Sequence, residues 1–343
     1  MYEAFYGLKE RPFELVPNPR FLFLTARQRE ALSNLRYGLT TARGLTLMIG
    51  EAGTGKTTLM QAALAEVSPD SVRVVLMSNP TLTRSEFYEF LARAFGLCQE
   101  AAESKTRFLF DLRLELQERH KAGVLSALVI DEAQSIPHEL LEEIRLLSNI
   151  ETTTTKLLNV ILAGQPELSD RLNDSSLRQL KQRIGLRCQL TPMNLNETAS
   201  YMAGRIRIAG GRPEQVFTRE AVAAVFQASR GLPRTVNVIS DNALIGGFAA
   251  QVKPINAKFV EEVCRDFDIS GSAAPPSSLF DESARTESPE SDLEIDQAPQ
   301  QAGPHLISPP RVPMAIDGEL AAVESPVAPM FGNVSRKRGF SFF

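Results

Sequence analysis

Tryptophan is absent from this chain, and cysteine and histidine are limited to three each among 343 residues. Cys98, Cys188 and Cys264 lie far apart and form no C-x-x-C pair. Ligands so few and scattered exclude a disulfide framework and leave no structural zinc site. The three thiols read as reduced and buried. No run of about 18 apolar residues occurs, so no membrane span is expected. The start, Met1-Tyr2-Glu3-Ala4-Phe5, carries an acid and no long apolar run, which gives no sign of a secretory leader. The expectation is a cytoplasmic protein. Neither sign of charge is in large excess: 37 Lys and Arg stand against 41 Asp and Glu, a net charge of −4. Global charge therefore gives no argument for nucleic acid, although a local basic patch stays open.

The hydrophobic fraction of 43% is ordinary for a globular protein, and the length suffices for two domains. Composition shifts near Ser270. Ten of the 21 prolines follow it, with ten Asp and Glu against five Lys and Arg. Residues 271–343 read as a disordered, acidic, proline-rich tail. Its end, Arg336-Lys337-Arg338-Gly339-Phe340-Ser341-Phe342-Phe343, is a basic triplet followed by phenylalanines. It reads as a solvated end or as a short docking motif for a partner or a membrane surface.

Residues 45–192 alternate between strand and helix patterns. The strand candidates are Leu45–Ile49, Val72–Met77, Leu125–Ile130, Leu157–Leu162 and Leu186–Leu190. Short apolar runs separated by helices predict a parallel five-stranded sheet covered on both faces, an α/β three-layer core. Over 193–270 the strands stop and helical patterns take over: Asn196–Ala209, Thr218–Arg230, Pro233–Ala250 and Ala257–Phe267. Thr218 is an N-cap candidate, and Gly210-Gly211 ends the first of these helices. The expectation is a small all-α lid. Residues 1–44 form an irregular apolar arm, with Phe5, Phe13, Phe21 and Phe23 among prolines, and a helix over Ala26–Thr41.

The most informative stretch is Gly50-Glu51-Ala52-Gly53-Thr54-Gly55-Lys56-Thr57, of the form G-x-x-x-x-G-K-T, followed by Thr58. A strand pattern precedes it and a helix pattern follows, the context a phosphate-binding loop requires. Its backbone N–H groups and the helix N-terminus favour an oxyanion cluster. Lys56 would neutralise β- and γ-phosphates, and the Thr57 hydroxyl would hold Mg²⁺. This predicts ATP and Mg²⁺ as ligands, with Gly50 to Thr58 as the binding segment.

Ala127-Leu128-Val129-Ile130-Asp131-Glu132 supplies a strand with two carboxylates at its C-terminal end, where parallel sheets bind ligands. Asp131 would hold Mg²⁺ with Thr57, and Glu132 would act as general base on water. Gln165, after Leu158 to Gly164, is the candidate for a polar side chain beside the γ-phosphate, although a strand end opening a turn at Pro166 is the competing reading. Asn159 is a weaker candidate. In the basic segment Leu177–Arg187, Arg183 is favoured over Arg178 and Arg187 as a guanidinium delivered to a neighbouring subunit's phosphate, the alternative being a solvated basic face. Gly231-Leu232-Pro233-Arg234 opens a helix with a cation at its N-terminus, where the dipole gives it no benefit. That local conflict favours a functional Arg234 that touches phosphates across a cleft.

The phosphate loop, the Asp-Glu strand end, the polar strand end, the arginine before the last strand and Gly-x-Pro-Arg together resemble the set found in AAA+ ATPases. Tyr6-Gly7-Leu8-Lys9-Glu10-Arg11-Pro12-Phe13, Pro17-Asn18-Pro19-Arg20-Phe21-Leu22, Arg29-Glu30-Ala31-Leu32, Asp131-Glu132-Ala133-Gln134 and Gly164-Gln165-Pro166-Glu167-Leu168 narrow the resemblance to the ExeA/GspA-type secretion ATPases, over roughly residues 1–268. The resemblance implies an ATPase working as a homo-oligomer, with Phe13, Pro17 and Phe21 lining the adenine end. Full-length secretion members continue into a membrane helix and a peptidoglycan-binding domain, and this sequence shows neither. The expectation is a stand-alone ATPase serving secretion or envelope, pilus or polysaccharide assembly through an unidentified partner protein. A DNA-associated ATPase of the transposition-regulator kind is the alternative, drawing on Arg178, Lys181, Arg183, Arg187, Arg205, Arg207 and Arg212. A scaffold that binds ATP and scarcely turns over is the third reading.

Overall fold

Five apolar runs pair into one parallel sheet in the computed structural model, which describes residues 1–16 and 18–267. They are β1 (Leu45–Gly50), β2 (Val72–Met77), β3 (Leu125–Ile130), β4 (Leu158–Gly164) and β5 (Ile184–Leu190), in the spatial order β2-β3-β4-β1-β5. Every neighbouring pair is parallel. All C-terminal ends, including Gly50, Ile130 and Gly164, therefore point to one edge.

Alternation along each strand divides the core. Leu45 and Leu47 of β1, Leu128 and Ile130 of β3 and Val160 and Leu162 of β4 face one layer, with Phe87, Leu91, Phe108, Leu112, Leu141 and Ile144. Those partners come from helices Arg84–Phe95, Lys105–Lys121 and His138–Leu147. Met48, Ala127, Val129, Ile161 and Ala163 face the opposite layer, with Leu35 and Leu39 of helix Ala26–Thr40 and Leu59 and Met60 of helix Lys56–Ala65. Two buried faces at period two explain the apolar runs Ala127–Ile130 of β3 and Val160–Ala163 of β4.

A third apolar cluster joins helices Leu195–Ile208, Arg219–Ser229, Pro233–Ala249 and Ala257–Asp266. Their starts are set by local chemistry. Asn194 and Glu197 form a capping box, and the Thr218 hydroxyl accepts from the Ala221 N–H. Tyr2, Tyr6, Leu8, Phe13 and Phe21 of the front segment sit in this same cluster.

The structure corrects several readings. β4 runs on to Gly164, because Ala163 and Gly164 still pair with Met48 and Ile49. β5 begins two residues earlier than expected, at Ile184, and the register against β1 shifts there, leaving Gly185 as the extra residue of a bulge. Phe13 does not line a nucleotide pocket. It is fully buried, edge-to-face with Phe217 at 6.1 Å, inside the helical cluster. Cys98 is exposed, whereas Cys188 and Cys264 are buried. Pro17, the tail and the Arg336–Phe343 motif lie outside the described residues. No helix of the described residues is long and apolar enough to cross a membrane.

Candidate functional site

β1 delivers the glycine loop to the C-terminal edge of the sheet, and helix Lys56–Ala65 starts immediately after it. Lys56 is buried, and its Nζ donates to the Gly50 and Glu51 carbonyls at 2.8 and 3.1 Å. Burial pushes its ammonium below the ordinary lysine range, while the charges of Glu132, Asp131 and Glu167 oppose that shift. Thr57 is exposed, and its hydroxyl donates to Asp131 Oδ2 at 2.7 Å. The two groups assigned to a divalent cation thus meet across 74 residues of sequence.

Asp131 is 5% exposed, and its Oδ1 accepts the Glu132 N–H at 2.9 Å. Glu132 itself has a left-handed backbone, φ 52°, which a non-glycine residue adopts at a cost. Its Oε2 accepts from Gln134 Nε2 and, at 3.3 Å, from Gln165 Nε2. The strand order explains the meeting. β4 lies between β1 and β3, so Gln165, just past its end, is flanked by the glycine loop and the Asp131-Glu132 turn.

A cavity of about 390 Å³ opens over the loop. Its walls include Gly53 to Leu59, Glu132, Leu15, Phe21, Met193, Tyr201 and Arg234. Gly231 (φ 74°) makes the turn into helix Pro233–Ala249, and a Cβ there would lie 1.9 Å from the Met193 carbonyl, so no side chain fits. The turn sets the Arg234 N–H against the Gly53 carbonyl at 3.2 Å, and Arg234, exposed, lines the cavity. At the cavity's other end Arg205 is buried, stacked 4.9 Å over Phe21, and its NH1 donates to the Tyr201 hydroxyl at 2.9 Å. Its Nε donates to the Pro12 carbonyl, and Tyr201 donates in turn to Asn237 at 2.8 Å. Burial raises the Tyr201 phenol, against the lowering influence of Arg205 and Asn237.

The site therefore brings together Gly50 to Thr58, Asp131, Glu132, Gln165 and Arg234. Arg183 is elsewhere. It precedes β5, whose first residue pairs with Leu45 at the start of β1, so it lies at the opposite edge of the sheet beside Glu151. Asn159 is buried and bonded to Gly44 and Leu39, which makes it a fixture of the sheet's far end. Arg205 leaves the basic set considered for DNA, because it is internal. Gln134, Tyr201, Arg205 and Asn237 were not expected in the site. The only hints were helical spacings, Tyr201 to Arg205 and Arg234 to Asn237, and the Asp-Glu-Ala-Gln string.

The donor set suits a triphosphate and a magnesium ion. The cavity has the size of a small-molecule pocket. Thr57 and Asp131 offer hard oxygens, and among the described residues no group of three or more His, Cys, Asp or Glu could hold a metal. A cation held by one hydroxyl and one carboxylate, with phosphate and water completing its shell, is the mode magnesium favours.

An AAA domain matches residues 39–172. The chain is 40% identical over 250 residues to general secretion pathway protein A of Aeromonas hydrophila, covering 73% of this chain and 45% of that protein. It thus spans less than half the length of this curated relative. Among solved structures it resembles the Aeropyrum pernix ORC2 protein, with TM-score 0.56 and 17% identity over 75% of this chain and 72% of that one. It also resembles Drosophila ORC bound to DNA, with TM-score 0.56 and 18% identity over 76% and 65%. Cdc6p from Pyrobaculum aerophilum gives 0.54 and 13% over 74% and 70%. At these identities the solved structures speak for the fold alone.

Proposed function

The chain belongs to the AAA family of P-loop ATPases, in its general secretion pathway protein A branch, and we propose that it is a magnesium-dependent ATP hydrolase. The observation that carries the reading is the convergence of Lys56, Thr57, Asp131, Glu132 and Gln165 on one loop below a nucleotide-sized cavity. Magnesium, when bound, neutralises charge on the β- and γ-phosphates. Lys56 exchanges the Gly50 and Glu51 carbonyls for phosphate oxygens. Thr57 and Asp131 hold the cation, Glu132 takes the proton from the attacking water, and Gln165 and Arg234 meet the γ-phosphate from two sides.

Among the described residues the cations lining the cavity are Lys56, Arg205 and Arg234, and a further cation for the transition state is assigned to a neighbouring subunit. Arg183 lies too far away to serve its own loop, so it serves a neighbour's, and the working form is a homo-oligomer. We place the protein in the cytoplasm, with hydrolysis coupled to a secretion or envelope-assembly partner. No observation favours DNA as that partner.

Glu132→Gln is expected to bind ATP normally and to lose turnover by about 10²–10⁴-fold, the range for a general base. Full turnover in that variant would sink the reading. Arg183→Ala alone is expected to be equally slow. Mixed with Glu132→Gln it should recover activity, because each wild-type base then meets a wild-type arginine across the junction. Absence of recovery would argue against the role in trans.

A further inference from the structure

Glu132 is gripped by one oxygen only. Gln134 Nε2 and Gln165 Nε2 both donate to Oε2, and among the described residues no hydrogen bond reaches Oε1. We infer that Gln134 is a positioning residue that, with Gln165, fixes Glu132 through Oε2 and reserves Oε1 as the atom that takes the proton from water. The inference rests on the reading of Glu132 as general base.

The orientation of Gln134 is set from both ends. Its Oε1 accepts the Gln165 backbone N–H at 3.1 Å, so its NH₂ must face Glu132. The flipped amide would set oxygen against carboxylate and N–H against N–H. The loop carrying it is also held. Arg171 donates from NH1 to the Gln134 carbonyl at 2.5 Å and from NH2 to the Ile136 carbonyl at 2.7 Å. Gly164 leaves the space. A Cβ there would lie 3.2 Å from Gln134 Oε1 and 2.7 Å from Leu168 Cδ2. Four segments therefore converge to hold one neutral amide: the β3 turn, the end of β4, Gln165 and Arg171.

The residue type has a chemical reason. A lysine or arginine at position 134 would hold the carboxylate more tightly, but its full charge would strip Glu132 of basicity. Two amides orient the carboxylate with neutral donors and leave it a base. Gln134 exchanges no proton with substrate or water. Its effect runs through the geometry of Glu132.

The test uses the full chain and steady-state ATP hydrolysis, with ATP affinity measured separately by titration. Gln134→Leu is expected to hold ATP affinity within about threefold and to lower kcat by about 10–100-fold, the scale of a misplacement near 1 Å. Gln134→Glu keeps the shape but sets a second carboxyl against Oε2. Its carboxylate has no N–H to give to Oε2, so kcat should fall at least as far as in Gln134→Leu while ATP affinity holds within about threefold. Lys56, Asp131, Glu167 and Arg171, charged groups near this turn, are unchanged in both variants. A Gln134→Leu or Gln134→Glu variant within threefold of wild-type kcat would overturn the inference. Glu132→Gln separates the two levels. If it turns over at full rate, the base assignment fails. If it is inactive while the Gln134 variants match wild type, only the positioning role fails.

Discussion

Replacing Arg234 by alanine should push stability and nucleotide coupling in opposite directions. The backbone contact survives, because the Arg234 N–H, not its side chain, meets the Gly53 carbonyl. Pro233 still opens the helix. Removing a cation from a helix N-terminus relieves about 0.3–1 kcal/mol, toward the lower value for an exposed guanidinium. Without ATP the variant should therefore match or slightly exceed wild type in unfolding free energy. With ATP the sign reverses. A hydrogen bond to a charged group contributes about 1.5–3 kcal/mol, or about 10–150-fold in affinity. At ATP near 100 times the wild-type dissociation constant, ligand stabilises wild type by about 2.7 kcal/mol. The variant should retain only about 0.3–1.3 kcal/mol of that. Chemical unfolding with and without ATP reads both terms in one experiment. A variant that loses stability without ATP yet keeps the full ATP increment would show that Arg234 is a packing residue and would refute the argument.

Two further outcomes follow from other parts of the structure. Thr57→Val removes an exposed hydroxyl that donates to Asp131. The Mg²⁺ concentration for half-maximal activity should rise about tenfold or more, a loss near 1.4 kcal/mol; an unchanged magnesium requirement would remove Thr57 from the cation site. Glu143, 3% exposed, accepts from Tyr88 and Lys105 and pairs with Arg84. Burial alone would raise its carboxyl, but those partners outweigh it and hold it below its ordinary value of 4.5. A depressed carboxylate contributes stability above its unfolded pKa and loses it as pH falls through the lower folded value. Glu143→Gln should therefore cost about 1.5–3 kcal/mol near neutrality, and the gap to wild type should close in acid below pH 4.5. Parallel unfolding curves from neutral pH into acid would contradict this.

The centre of the sheet was legible because both its faces are buried, which fills β1, β3 and β4 with apolar residues, whereas the edge strands β2 and β5 keep exposed positions. β2 and β3 match their sequence expectations to the residue. The misses have local causes. Ala163 and Gly164 carry too little apolar surface to mark a strand end, and the bulge at Gly185 hides the first turn of pairing in β5. Cys98 was read as buried from a residue-type tendency, whereas it caps the short helical turn Gln99–Glu103 at the surface. The strand order itself was not written in any run. It arises from how helices cover the sheet, and it is what sets Gln165 between the glycine loop and Glu132.

The same distinction divides the site. Groups expected to act on phosphate stand at strand ends or at helix starts, so backbone rules locate them: Lys56 and Thr57 after β1, Asp131 and Glu132 after β3, Gln165 after β4, Arg234 after Gly231. The other end of the cavity obeys no such rule. Arg205 reaches the Pro12 carbonyl across 193 residues, stacks on Phe21 and bonds to Tyr201, which bonds to Asn237 one helical turn beyond Arg234. Phe13 shows the same logic from the other side, since a side chain expected at the ligand is buried in the core of the helical cluster, while Leu15 and Phe21 of the same arm line the cavity. A buried arginine must find hydrogen-bond partners wherever the fold offers them. Here one comes from the front arm and the other, Tyr201, bonds on to Asn237, so the arm is tied to the helix that carries Arg234, and the wall of the cavity is built from segments whose proximity only the folded chain reveals.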